Sequence, residues 1–478
     1  MMMSFQPDAV GMLGGIRTPH GLPQGYWRAT RPDTLLAEVL AYLPERYPIL
    51  AEVLRTTPEK VQVLAGCANQ SGEDCRNVAR QAALLAQYPY AVHATTLNKL
   101  CGSGMDAIHH GMALIQSGMA EVVIACGVES ASRAPYVMAR DTPESQVDSR
   151  IGWRFTHPAF EIAQPLEADT ANVAVAPLAQ EMPYVIDVYC QNQVRQGHTF
   201  HQTLLHRHTQ ETWVYHSHQK AVASYPQRCA ILYDLAHKNA APRMDECSRP
   251  HLTLKALARL KPYPTTESHL TPATMMGVYD GAAAVVLVSK TLYDTWHTRR
   301  VHQDSTHHLH TVWLTQASQS AGHPLKLHQA LHWAWKSMQA KLPTHKQTLS
   351  SWLNPSNHAL SSRSLIVGES FVASIFYLLL QEGILHPHNV PLECDAVSLE
   401  AQQAQWLAYW QTLSINPLGG TLALGGPMGS YGITLCLEAW LTLCHNPTAS
   451  YEEALILLGV GMGQASALLV QRELDLIN

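Results

Sequence analysis

At 478 residues, with 46% hydrophobic and 14% charged residues, the chain is long enough for more than one domain-sized core and reads as globular with a sparsely charged surface. Its 32 basic and 37 acidic residues leave a net charge of −5, which gives no footprint for nucleic acid and leaves open a local basic patch for an anionic ligand. Ten cysteines without a Cys-x-x-Cys pair exclude a compact disulfide framework and point to free thiols; with no signal-peptide pattern at residues 1–7 and no apolar run of membrane-spanning length, a cytoplasmic protein is expected.

Residues 14–130 alternate strand and helix patterns. A helix is predicted over Leu35–Leu43, a strand over Val61–Ala65, and a helix over Asn77–Gln87 opened by Asn77 as its cap. A strand over Ala91–Leu97 follows, then a helix after Cys101 and a strand over Glu121–Ala125. The helix rests on Met105, Ile108, Met112 and Ile115, which share one face, and Gly118 stands where a left-handed stop is wanted. This alternation predicts an α/β layered unit. Arg133 to about Pro250 is rich in Pro, Gln, His and Tyr and shows no sheet pattern. Asp280-Gly281 reads as a turn before a strand over Ala284–Ser289. Further on, Leu327–Leu342 reads as an amphipathic helix, Leu365–Val367 as a strand, and Phe371–Gln381 and Ile433–Cys444 as helices. Ala454–Leu458 and Ala465–Arg472 read as a strand pair.

Cys101 lies on the turn between strand and helix. A thiol at a helix start meets the positive end of the helix dipole, a setting that favours thiolate and makes a nucleophile; the competing reading is one more buried, inert cysteine. Histidine is frequent, at 27, in tracts around His198–His208, His216–His218 and His307–His310. Their spacing matches no standard zinc site, so a composition-biased surface is expected and no metal.

Asn98-Lys99-Leu100-Cys101-Gly102-Ser103-Gly104-Met105 resembles the acyl-enzyme signature of thiolases. Arg17-Thr18-Pro19-His20-Gly21, Gly66 to Asp74, Asn77 to Gln81 and Gly127 to Pro135 fit the same family. Gly66 to Asp74 with Ile151 to Phe155 is most similar to its 3-oxoadipyl-CoA branch. The resemblance implies a five-layer αβαβα fold of two similar halves. Residues 1–132 and the return segment 254–290 would form the first half, 133–253 an inserted loop domain over the coenzyme A (CoA) site, and 291–478 the second half.

The family implies acyl transfer between a 3-oxoacyl-CoA and CoA, with CoA as substrate and no tightly bound cofactor. It also implies at least a dimer, either a homo-oligomer (dimer or tetramer) or a mixed assembly with an active thiolase. Cys101 would be the acyl-accepting nucleophile, and the backbone N–H groups of Cys101 and Gly459 would form one oxyanion hole.

Three other chemical positions differ from the family. An Asn that orders an oxyanion water is replaced by Gly368 in Gly368-Glu369-Ser370-Phe371, where the family has an Asn-Glu-Ala-Phe-like segment. A His that activates the nucleophile is replaced by Gly426, and a second acid/base Cys by Leu457. Met276 stands where the family places a Ser that faces CoA. The surviving glycines keep backbone freedom without chemistry, so a kept fold with a stripped site is expected: either a thiolase-type acyltransferase, or an impaired protein that binds acyl-CoA or partners an active subunit.

Overall fold

A computed structural model describes residues 8–138, 147–148, 186–187, 189–191, 204–235, 240–301, 310–324, 326–353, 362–386, 398–445 and 451–472. Most of the expected loop domain, including Ile151 to Phe155, lies outside them, as do His198, His201, His307, His308 and Cys394.

The first half comprises β1 (Val10–Arg17), α1 (Pro32–Arg46), α2 (Pro48–Thr56), β2 (Val61–Gly66), α3 (Val78–Leu85), β3 (His93–Leu97), α4 (Ser103–Gln116) and β4 (Val122–Glu129). After α5 (Arg207–Ala223), β5 (Gly281–Ser289) completes it. The second half comprises β6 (Val312–Ala321), α6 (Ala330–Gln339), β7 (Arg363–Val367), α7 (Val372–Gln381), α8 (Leu399–Gln411), α9 (Tyr431–His445), β8 (Glu453–Val460) and β9 (Gln464–Gln471). The strands run in the order β3-β2-β4-β5-β1-β6-β9-β8-β7. The two halves meet where β1 pairs antiparallel with β6 over Val10–Met12.

Alternation along the strands divides the core into three. On β4, Val122, Ile124, Cys126 and Val128 face one cluster with α1 and α3, while Val123 and Ala125 face a central cluster with α4 and α9. On β8, Ala454, Ile456 and Leu458 face that same central cluster, while Leu455 and Leu457 face a third with α6 and α7. Both of these strands thus bury both faces, as a sheet covered by helices on both sides requires. The layers read helix, sheet, helix, sheet, helix, with α4 packed on α9 in the middle.

Local signals explain several boundaries. The Asn77 side chain accepts the Arg80 N–H at 3.3 Å, and Gly118 closes α4 at φ +74°. Two expectations need correction. His216 and His218 are buried on α5 rather than displayed on a surface, and burial pushes them down to about 3 and about 4, so α5 carries them neutral. Asp280 is more than a turn residue: it is buried, and its carboxylate accepts the Ser132 N–H at 2.9 Å and the Ser132 hydroxyl at 2.5 Å.

Candidate active site

The turn that carries Cys101 is built by its own side chains. Asn98 Oδ1 accepts the Leu100 N–H at 3.0 Å. The Ser103 hydroxyl accepts the Lys99 N–H at 2.8 Å and donates to the Leu100 carbonyl at 2.6 Å. Lys99 Nζ ties back to Asp106 at 2.9 Å. Leu100 is held at φ +51°, a left-handed backbone that costs a leucine free energy and persists only where the surroundings enforce it. Cys101 follows, two residues before α4 begins at Ser103.

The sulfur side of this turn faces a cavity of about 30 Å³ lined by Leu327, Ala330, Leu331, Phe371, Ser370 and Ser374, with Gly368, Gly459 and Gly461. That is room for about one or two waters. The elements converge from both halves: Cys101 from the turn after β3, Gly368 from the end of β7, Gly459 and Gly461 from the end of β8.

The expected thiolate setting is not what the geometry produces. Burial in this apolar cavity pushes the Cys101 thiol up to about 11, against the helix-start effect. The groups acting on it are the backbone N–H groups of Cys101 and Gly461, which favour thiolate, and the more distant Glu129 carboxylate, which opposes it. Desolvation of a charged sulfur outweighs two backbone donors here. The Gly461 N–H acts on the sulfur, and Gly459 and Gly461 both line the cavity.

Tyr431 crowds both Gly368 and Gly426. A β-carbon at position 368 would lie 2.7 Å from Tyr431 Oη, and one at position 426 would lie 2.8 Å from Tyr431 Cδ2 and 2.9 Å from Met276 Sδ. One buried phenol ring therefore occupies the space that a side chain at either position would enter, with the Met276 thioether beside position 426. Burial pushes the Tyr431 phenol well above its usual range, so it stays protonated. Leu457 is fully buried in the core shared with Leu331 and Phe371, where it pairs with Val367 across β7 and Ala467 across β9.

Nearby polar groups are held in structural bonds. Glu369 accepts from Trp213 Nε1 at 3.0 Å, Ser217 Oγ at 2.9 Å and the Leu422 N–H at 3.0 Å, which pins α5 to the 420s loop. Glu129 is pushed up to about 7 by burial, although it accepts the N–H groups of Ala68 and Asn69, each at 3.0 Å. His20 sits 2.9 Å from the Leu424 carbonyl through Nδ1, and burial, reinforced by Arg17, lowers it to about 3.

The family model "Thiolase, N-terminal domain" matches residues 10–291. The chain is 31% identical to the beta-ketoadipyl-CoA thiolase of Pseudomonas knackmussii, over 97% of this chain and 99% of that one. It is 30% identical to the 3-oxoadipyl-CoA/3-oxo-5,6-dehydrosuberyl-CoA thiolase of Escherichia coli K12, over 96% and 98%. Among solved structures, human mitochondrial 3-ketoacyl-CoA thiolase in complex with CoA superposes at a TM-score of 0.70 with 19% identity, covering 98% of each chain. That likeness bears out the expected layered fold.

Two outcomes follow from the geometry. Alkylation of Cys101 by iodoacetamide, followed by peptide mass spectrometry, should be slow at neutral pH and rise about tenfold per pH unit toward about pH 11, because rate tracks the thiolate fraction; a plateau below pH 8 would mean a stabilised thiolate. Gly426→His alone should lower stability by about 1–3 kcal/mol in chemical denaturation through overpacking against Tyr431, and Gly426→His with Tyr431→Thr should recover most of it.

Proposed function

The chain belongs to the thiolase family, and from that premise we propose that it accepts an acyl group from acyl-CoA onto Cys101 while carbon–carbon cleavage and condensation are crippled. Thiolysis of a 3-oxoacyl-CoA needs a base that makes the thiolate and a second group that gives or takes a proton at carbon. The observation that carries this reading is the cavity at Cys101. Its lining offers two hydroxyls, backbone and apolar carbon, and Tyr431 and Met276 occupy the room where a His side chain at position 426 would begin. Each lost base lowers the rate by roughly 10²–10⁴.

CoA is the expected acyl carrier. Arg249, Lys255, Arg259 and Lys261 are all exposed, and no Asp or Glu interrupts residues 247–266. Leu252, Leu254 and Leu260 of this basic ridge pack on the core that also holds Leu327 and Leu331 of the cavity wall. Charge of this sign near the site suits a ligand bearing several phosphates. A second reading, in which the protein is a CoA-binding partner of an active subunit, is supported by the same emptied positions. No helix among the described residues is long and apolar enough to cross a membrane. The nine described cysteines are all unpaired, which supports a reducing, cytoplasmic setting.

Self-association is also proposed. β3 is an edge strand with one free side, and exposed Leu84, Leu85 and Tyr90 sit on α3 and the loop beside it. An open edge with apolar neighbours is a ready surface for a second copy.

Intact mass spectrometry after mixing the protein with acetyl-CoA or 3-oxoadipyl-CoA should give a slow adduct confined to Cys101, absent from Cys101→Ala, and no condensation product. CoA-dependent thiolysis at a normal enzymatic rate would overturn impairment and favour an active thiolase. Light scattering should report a dimer or larger species that Leu85→Glu weakens; a monomer at micromolar concentration would defeat the self-association proposal.

A further inference from the structure

We propose that the Ser370 hydroxyl, held in place by Tyr431, is the oxyanion donor for acyl transfer at Cys101, standing in for the side chains missing at Gly368 and Gly426. This rests on the acyl-transfer reading above and names a residue within it. Ser370 occupies the position where the resembling segment has an alanine, so the hydroxyl is new to this chain. It lines the same cavity as Cys101.

A run of hydrogen bonds leads to it. The Glu369 N–H, which can only donate, gives its proton to Thr421 Oγ1 at 3.0 Å. Thr421 Oγ1 lies 2.9 Å from Tyr431 Oη, and the Ser370 side chain acts on the same phenol, favouring its charged form against the effect of burial. Each of these hydroxyls can donate or accept, so the Ser370 hydroxyl on the cavity wall can turn its proton to an oxygen placed there. Hydrogen bonds in such a run polarise one another. The Tyr431 ring cannot drift, because it is fully buried and wedged between Gly368 and Gly426.

In the step itself, Cys101 Sγ bonds to the acyl carbon of acyl-CoA and the carbonyl oxygen becomes an oxyanion. That oxygen takes hydrogen bonds from Ser370 and the backbone N–H groups at Cys101 and Gly459, both of which line the cavity. The bond from acyl carbon to CoA sulfur then breaks, and the proton of the Cys101 thiol leaves on CoA as its free thiol. Ser370 touches the reacting oxygen; Tyr431 acts through Ser370 and is a positioning residue.

The test compares two reactions of one sulfur in wild type, Ser370→Ala and Tyr431→Phe. Acetylation by acetyl-CoA develops an oxyanion, whereas alkylation by iodoacetamide does not. Ser370→Ala should acetylate about 10²–10³-fold more slowly, and Tyr431→Phe, which keeps the ring and loses only the hydroxyl, at least about tenfold more slowly. Alkylation at pH 9 should stay within about twofold in both. Ser370→Ala acetylated within about twofold of wild type would overturn the proposal, and so would equal falls in acetylation and alkylation, which would mark a merely structural role. Failure of wild type to be acetylated by acetyl-CoA or by p-nitrophenyl acetate would defeat the acyl-transfer reading itself and this inference with it.

Discussion

The carbonyl of Gly429 is the point on which the site depends. A β-carbon at Gly66, Gly104 or Gly127 would lie 2.4, 2.9 or 2.1 Å from that oxygen. Three segments of the first half therefore close around one peptide of the second. The next turn follows suit, since a β-carbon at Gly432 would lie 2.2 Å from the Met105 N. This docking seats the 425–432 loop on the start of α4 and brings Tyr431 beside the Cys101 cavity. Backbone cannot yield as a flexible side chain does, so these glycines are fixed by packing whatever the chemistry.

That contrast separates two kinds of glycine that look alike in the sequence. Gly66, Gly104 and Gly127 would strike backbone. Gly368 and Gly426 would strike the side chains of Tyr431, Leu458 and Met276. The first kind keeps the halves together. The second kind faces bulk supplied from elsewhere, chiefly one phenol ring. Volume-conserving exchange at such positions leaves a fold intact.

Much of the architecture was legible in the chain because local and global signals agree. Asn77 caps its helix, Gly118 ends α4, and the apolar stripe from Met105 to Ile115 faces the central core. β6 and α8 were missed: β6 buries Val312, Trp313 and Leu314 in succession and then turns mostly polar from Thr315 to Ser320, which leaves no clear period, and α8 holds its core contacts mainly through Trp406 and Trp410. At the site, the motif placed Cys101 on the turn before α4, but not its electrostatics. The rise of the thiol to about 11 depends on Leu327, Leu331 and Phe371 arriving from distant segments. Tyr431 was illegible for the same reason: its meaning lies in what it touches, at sequence distances of 5 residues and of 63.

The two half-reactions of a thiolase make unequal demands on such a site. Thioester exchange needs no net base: the proton on the attacking thiol departs with the leaving sulfur, and the charge in between rests on one oxygen that fixed donors can hold. Making a carbanion is different, because a proton must leave carbon for a group able to accept it. Ser370, Ser374 and the backbone of Gly459 and Gly461 can donate to an oxygen but are poor acceptors of a carbon-bound proton, and burial holds Tyr431 in its phenol form. On the proposed reading, in which glycines stand for the Asn and His of the resembling family, the two halves are therefore not weakened alike. The groups that line the cavity would then suit sulfur-to-sulfur acyl transfer and would offer no route by which carbon–carbon bonds are made or broken.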